Sequence, residues 1–430
     1  MRHADPSTAL RRRAENFAIL SSCCGFLGET ALTDSAVIIL FAGMLGAGEM
    51  LAMLTTSVLP LLNGLCVIPM AAVAARTGVR RTSLLACAVA SAAYFAAVAA
   101  PFFGEWSVAV LIGALLLFAF SLTGFIASWF PLLDTFLASG RRTPYFSRMR
   151  FCHQLTATLF LFAVGFAIGR TPSVGTLQAV LLIAAVIFTG RGIAISRIPV
   201  FTPPVRETPG FRAGLARAAG NRGLTGFSIY LFVLNLAGFG TVPLMMLALK
   251  NRLHAPDNVV VLASAASLSG MLLGYLCIRR VLARIGLRNC FLAFHLLFLL
   301  VNMALFFIGS GSVPVYWLIA GLLLVYSFGI AAVSIVASAE MMALASPGNK
   351  VMAMAVSGAF SYGGSGLSRF ASSLLLGCGM LAPEWMLGGM EISRYQSLCL
   401  IYTCGLALAG AFLPLVPAVF PKGEYSYPAN

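Results

Sequence analysis

Apolar residues run through this chain in blocks long enough to cross a bilayer, and short polar or basic connections separate them. A spanning helix needs about 20 mainly apolar residues. On that criterion twelve blocks qualify: 16 to 42, 50 to 74, 82 to 103, 107 to 133, 151 to 169, 173 to 190, 224 to 249, 258 to 278, 289 to 309, 313 to 338, 351 to 380 and 397 to 420. No remaining segment is long enough for a soluble domain. The pattern predicts an all-α integral membrane protein.

The connections carry a repeat. Ala-Arg-x-Gly-x-Arg occurs at 75 to 80, within "AAVAARTGVRRTSLL", and again at 283 to 288, an offset of 208. Two further features keep nearly the same offset: "LASG" at 137 to 140 with "LASP" at 344 to 347, and Asp134 with Glu340, each acid at the end of its span. Three features in one register predict two parallel six-helix repeats, each with the arginine loop between its second and third helices. The division is 1–190 for the N-terminal half, 191–223 for a cytoplasmic linker rich in Pro, Gly and Arg, and 224–430 for the C-terminal half.

Composition agrees. Of 430 residues 60% are hydrophobic and only 10% charged, against about 25% charged in soluble domains. The formal charge of +15 comes from basic clusters separated by apolar spans, which argues for loop asymmetry and against nucleic-acid binding. By the boundaries above, 23 of the 28 Lys and Arg fall on one side, four on the other (Arg170, Lys250, Arg252, Arg394), and Arg369 lies inside a span. The basic side is read as cytoplasmic, with both termini on it, in a membrane of the bacterial inner type. The basic start precedes an apolar run that continues past Glu29 and Asp34, so it reads as a retained first helix and not a cleaved leader. The ten cysteines lie in or beside apolar runs and read as buried hydrophobes, with neither disulfides nor metal ligands implied.

Charges inside spans are costly, so each marks a functional candidate. Ser22, Gly25, Glu29 and Thr33 share one face of the first helix, continued by Ala36. Asp34, five residues beyond Glu29, points about 140° away, so the two acids need not share a site. The eleventh span carries a similar stripe of Gly358, Tyr362, Ser365, Arg369 and Ser372, and the pathway set is completed by Gln154, Asn235 and Tyr326. Arg150 stands at the entrance of span five, where His153 is a possible proton relay. Pro131 and Pro243 are candidate kinks or stops.

Two six-helix parallel repeats, a long central connection and short basic loops after the second and eighth spans resemble the major facilitator superfamily of secondary transporters. The family's loop motif is written approximately G-x-x-x-D-R-x-G-R-R. Arg76, Gly78 and Arg80 match it, as do Arg284, Gly286 and Arg288 in the second copy, while Ala75 and Ala283 stand where the family has aspartate. The resemblance implies a central cavity lined by the first, fourth, seventh and tenth helices. It also implies a cytoplasmic gate in which Arg76 or Arg80 pairs with Asp134, and Arg284 or Arg288 with Glu340. The expected activity is alternating-access movement of a small solute, coupled to protons through Glu29 with Arg369 as counter-charge or anionic-substrate anchor. The protein is expected to act as a monomer without cofactor. The alternatives are a drug or metabolite exporter, a passive facilitator in the same fold, and a membrane enzyme or receptor. Span five lacks the Gly-Pro pair usual in the family's drug/proton antiporters. No phosphate loop, H-E-x-x-H, Cys-x-x-Cys or G-x-S-x-G is present, so an enzyme would lack recognisable machinery.

Overall fold

A computed structural model describes residues 8–137, 142–199, 201, 210–309, 312–346, 349–416 and 419. Both termini, most of "LASG" and the final residue of "LASP" lie outside the described residues. The chain begins with α1 (Thr8–Thr33) and α2 (Ala36–Met44), which meet at a 42° bend. There follow α3 (Glu49–Thr77), α4 (Val79–Val98), a 3-10 turn (Ala100–Trp106), α5 (Ser107–Asp134), α6 (Arg142–Ala167) and α7 (Val174–Ser196). A short α8 (Phe211–Ala219) occupies the central connection. Beyond it come α9 (Arg222–Gly238), α10 (Thr241–Leu247), a π-helical turn (Ala248–Arg252), α11 (Asp257–Phe306), α12 (Val313–Leu344) and α13 (Lys350–Gly377). The strands β1 (Glu384–Leu387) and β2 (Met390–Ser393) precede α14 (Arg394–Phe412).

Among the described residues, nine helices are long and apolar enough to cross a membrane, or ten if the bent α1–α2 pair counts as one span. The 50-residue α11 is interrupted at Gly286, where φ is 75° and ψ 171°. Straight, it would run about 75 Å, far more than a hydrocarbon core of about 30 Å. Gly78 has the same role between α3 and α4, with φ 91°. Both copies of the repeated arginine loop therefore put their glycine at a positive φ that a Cβ disfavours, and each marks a break between helical lengths.

Three features depart from the sequence reading. The linker starts later than 191: α7 runs to Ser196 and buries Arg191 in its interior; the apolar run resumes after this single charge, so the helix does too. The Ser196 carbonyl, left without an intrahelical donor at the end of α7, is capped by Arg80 Nη2 at 2.8 Å. The all-α expectation also missed the β1–β2 hairpin. Its turn is Gly388–Gly389, both at positive φ, the two-residue connection that matches strand twist. Finally, the spans read at 16 to 42 and 224 to 249 are each broken, at Asp34–Ser35 and at Phe239–Gly240.

The helices before and after the central connection are joined most tightly along α3 and α13, and along α6 and α11. Glycines set the first contact: a Cβ on Gly64 would come within 2.6 Å of the Gly363 backbone, and one on Gly366 would overlap the Leu61 backbone. At the end of the bundle opposite the arginine loops, hydrogen bonds and an ion pair join the helices before and after the central connection. Ser373 donates to the Met50 carbonyl at 2.6 Å, Arg394 pairs with Glu49 at 2.7 Å, and the Asp257 amide donates to the Arg170 carbonyl at 3.0 Å.

Candidate functional site

Two buried arginines organise the polar interior. The first is Arg191 on α7, 3% exposed. It reaches Glu29 on α1 through Nη2, 3.1 Å from Oε2, and Glu29 keeps 22% of its side chain exposed. Local sequence makes the approach possible. A Cβ on Gly25 would occupy the space of the Arg191 guanidinium, and one on Gly190 would lie 3.0 Å from Cys24 Sγ, so glycine on each helix lets α1 and α7 close together. The guanidinium carbon stands 4.3 Å from the ring centre of Phe125 and 5.2 Å from that of Phe188, a cation–π arrangement. One turn below, Ser22 Oγ is 2.9 Å from His153 Nδ1 on α6, and the His153 ring stacks on Phe26 at 4.3 Å. The first-helix stripe is real, but it faces α6 and α7.

The second arginine is Arg369 on α13, and it does not serve Glu29. Its Nη2 lies 2.7 Å from Asp34 Oδ1, its Nη1 donates to the Thr56 carbonyl at 2.8 Å, and its Nε to the Phe239 carbonyl at 3.4 Å. Proline explains why those carbonyls are free. Pro60 and Pro243 lack the N–H that would bond four residues back, which orphans the oxygens of Thr56 and Phe239. Arg369 thus caps two proline-made defects and the bend between α1 and α2 with one side chain. The separation of Asp34 and Glu29 into different ion pairs agrees with the 140° between the two acids.

The other candidates divide by exposure. Tyr362 on α13 is 37% exposed although it lies in mid-helix, and it is within electrostatic range of both Glu29 and Arg150. Arg150 on α6 lies against the Tyr275 ring at 5.9 Å. Gln154 is fully buried and donates to the Leu268 carbonyl on α11 at 3.1 Å. Asn235 donates to Ser361 Oγ on α13 at 2.8 Å. Tyr326 is buried, its hydroxyl donating to the Gly238 carbonyl at 2.7 Å beside the α9–α10 break. These last three tie helices together, while Glu29 and Tyr362 keep accessible surface. At the arginine-loop end, Arg76 lies in the last turn of α3, Asp134 ends α5, and Glu340 is buried near the end of α12. Arg284 and Arg288 flank the Gly286 break.

Several solved structures share this architecture. A point mutant of the nucleoside transporter NupG superposes with a TM-score of 0.69 at 14% identity, covering 96% of this chain and 100% of that one. A D-xylose-proton symporter gives 0.68 at 14%, covering 96% and 99%. The human organic anion transporter MFSD10 (TETRAN) gives 0.60 at 17%, covering 93% and 99%. These are transporters of the major facilitator superfamily fold, and this chain, an integral membrane protein, has that fold. No family model matches the sequence, and no curated protein matches it.

Proposed function

We propose that the protein is a secondary active transporter that moves a small solute by alternating access and is coupled to protons through Glu29. The observation that carries this reading is the Glu29–Arg191 pair, held within the bundle with the carboxylate still 22% exposed. A carboxylate in such a place is costly while charged and unpaired. Protonation removes the charge and frees the guanidinium; deprotonation restores the pair. A group with two such states can favour one access state over the other. The fold, shared with a D-xylose-proton symporter, supports the class.

The reading includes twelve spans in two six-helix repeats, α11 contributing two of them on either side of Gly286, with the basic loops facing the cytoplasm. The fastened end around Glu49, Arg394 and Arg369 is then the outer end. At the other end Arg76 or Arg80 with Asp134, and Arg284 or Arg288 with Glu340, form the cytoplasmic gate. In reconstituted vesicles under an imposed pH gradient, a screen of labelled metabolites should find one that accumulates uphill. Glu29→Gln should keep exchange of that solute across the membrane and lose its accumulation. Accumulation by Glu29→Gln at the wild-type rate would refute the coupling role.

A further inference from the structure

The Arg191 guanidinium is buried, yet among the described residues only its Nη2 has a hydrogen-bond partner; Nε and Nη1 have none. Native structures rarely leave buried donors unpaired, and each exception calls for an explanation. Burial over Phe125 accounts for the ring contact but satisfies neither N–H.

Charge gathers around the same arginine. Arg150 and Arg191 both act electrostatically on His153, and Arg150 and Glu29 both act on Tyr362. One region therefore gathers two guanidinium groups and the Glu29 carboxylate; Asp34, which also acts on Glu29, is neutralised by its own pair with Arg369. Among the described residues, Arg150 has no acidic partner within ion-pair distance; its contact is the Tyr275 ring. Three acids of neighbouring elements are committed elsewhere: Asp34 to Arg369, Glu49 to Arg394, Asp257 to Lys250. With Glu29 ionised the cluster carries one net positive charge, and with Glu29 protonated it carries two. Aromatic rings of Phe26, Phe125, Tyr275 and Tyr362 belong to the same region.

We propose that this cluster is the binding site for a small organic carboxylate, whose carboxyl group replaces Glu29 on Arg191 while its body packs among the aromatic rings. The planar fork of a guanidinium matches a carboxylate in two parallel bonds, and Arg191 holds the donors such a bond needs. Glu29 acts as the stand-in anion when the site is empty. Binding then takes one proton from solvent onto the Glu29 carboxylate for each carboxylate bound, which conserves charge in the site. This assignment rests on the reading of Glu29 as the coupling group, and it names the solute class.

The test uses purified full-length protein and a panel of benzoate, phenylacetate, lactate and 2-oxoglutarate, with benzylamine, glucose and inorganic phosphate as comparison ligands. At least one carboxylate should raise the unfolding temperature saturably. Arg191→Gln and, separately, Arg150→Gln should each weaken that ligand by about tenfold to a hundredfold, the scale of a lost hydrogen bond to a charged group. Arg197→Gln, at an exposed position after α7, should leave it unchanged. In weak buffer with an indicator dye, wild type should take up about one proton per carboxylate bound, and Glu29→Gln should bind without uptake. Stabilisation by benzylamine, glucose or phosphate and by none of the carboxylates would overturn the assignment. So would carboxylate binding that survives both arginine substitutions. Arginine-dependent binding without proton uptake in wild type would leave the solute class standing and remove the coupling role of Glu29. Should Arg191→Gln fail to fold, Arg150→Gln decides alone.

Discussion

Arg369 fastens one end of the bundle, and its replacement by glutamine should open that end. The contribution can be assembled from its three contacts. Asp34 is 47% exposed, so solvent screening limits the ion pair to about 1 kcal/mol. The bond to Thr56, at 2.8 Å from a buried charged donor, contributes about 2 kcal/mol, and the long contact to Phe239 about 0.5 kcal/mol. Together they favour the fastened form by about 3 to 4 kcal/mol, or a population ratio of a few hundred at about 1.4 kcal/mol per factor of ten. Ser264 reports on this directly: it is 3% exposed, and with Asp34 and Thr56 it lines a void of only 10 Å³. In a cysteine-free background, Ser264→Cys should react slowly with a polar thiol reagent. Adding Arg369→Gln should raise the rate by about 100-fold or more, and Asp34→Asn by about five-fold, because Asp34→Asn leaves both carbonyl bonds in place. Equal effects of the two substitutions would refute the proline-defect argument. No effect of Arg369→Gln would refute the latch itself.

Gly25→Ala should displace the Arg191 guanidinium and cost about 3 kcal/mol, the lower range for breaking a buried pair because Glu29 keeps 22% of its side chain exposed; thermal unfolding measures this, and a loss below about 0.5 kcal/mol would mean that the arginine relocates freely. Gly64→Ala should drive α3 from α13 and cost about 1 to 3 kcal/mol, whereas Gly113→Ala, with nothing near its Cβ position, should be neutral in the same assay. In the β1–β2 hairpin, hydrogen bonding from Arg252 holds the Glu391 carboxyl below its ordinary value. A lowered pKa in the folded form means that the contact is complete above the ordinary carboxylate range and is lost as pH falls through the lowered value. The fluorescence of Trp385, whose Nε1 donates to Ser397 at 2.8 Å, should report a transition below about pH 4 that Glu391→Gln removes.

Much of the fold was legible because bilayer crossing imposes length and apolarity on every span, and the arginine loops show where spans end. The hidden parts have specific causes. Arg191 looked like the first residue of a basic linker, since a single arginine between glycines reads the same at a helix end as inside one; the signal was the apolar Gly192–Ile195 stretch that follows it. Asp34 and Glu29 were correctly separated by helical geometry alone. Their partners were not readable, because Arg369 and Arg191 reach across from helices more than a hundred residues away. Gln154 and Tyr326 were polar residues in spans, and their use in joining helices depends on packing that no spacing rule encodes. The hairpin had its Gly-Gly turn in view, but strands of four residues leave almost no periodicity to read.

Scaffold and chemistry follow different patterns along the chain. Breaks at Asp34–Ser35 and Phe239–Gly240 lie at an offset of 205, close to the 206 to 208 of the loop features, and Ser173 and Ser393 both cap the helix that follows them. On offsets of 205 to 208 Glu29 falls opposite Leu234 to Ala237, a stretch that includes Asn235, and Arg369 opposite the apolar run Leu161 to Val164. Aligning the two serine caps sets Ala411 opposite Arg191. None of the three charges has a charged counterpart. In the proposed two-repeat transporter the scaffold needs matching breaks and matching glycines to bend in step, whereas one solute and one proton need one site, which a symmetric pair would duplicate. On the proposed function, the charges that depart from the repeat are the ones that bind, couple or latch, and substitutions toward a counterpart residue, such as Glu29→Asn or Arg369→Leu, should impair transport while the bundle still folds. Loss of folding in both, measured by unfolding temperature and monodispersity, would show that these charges hold the scaffold together and do nothing else.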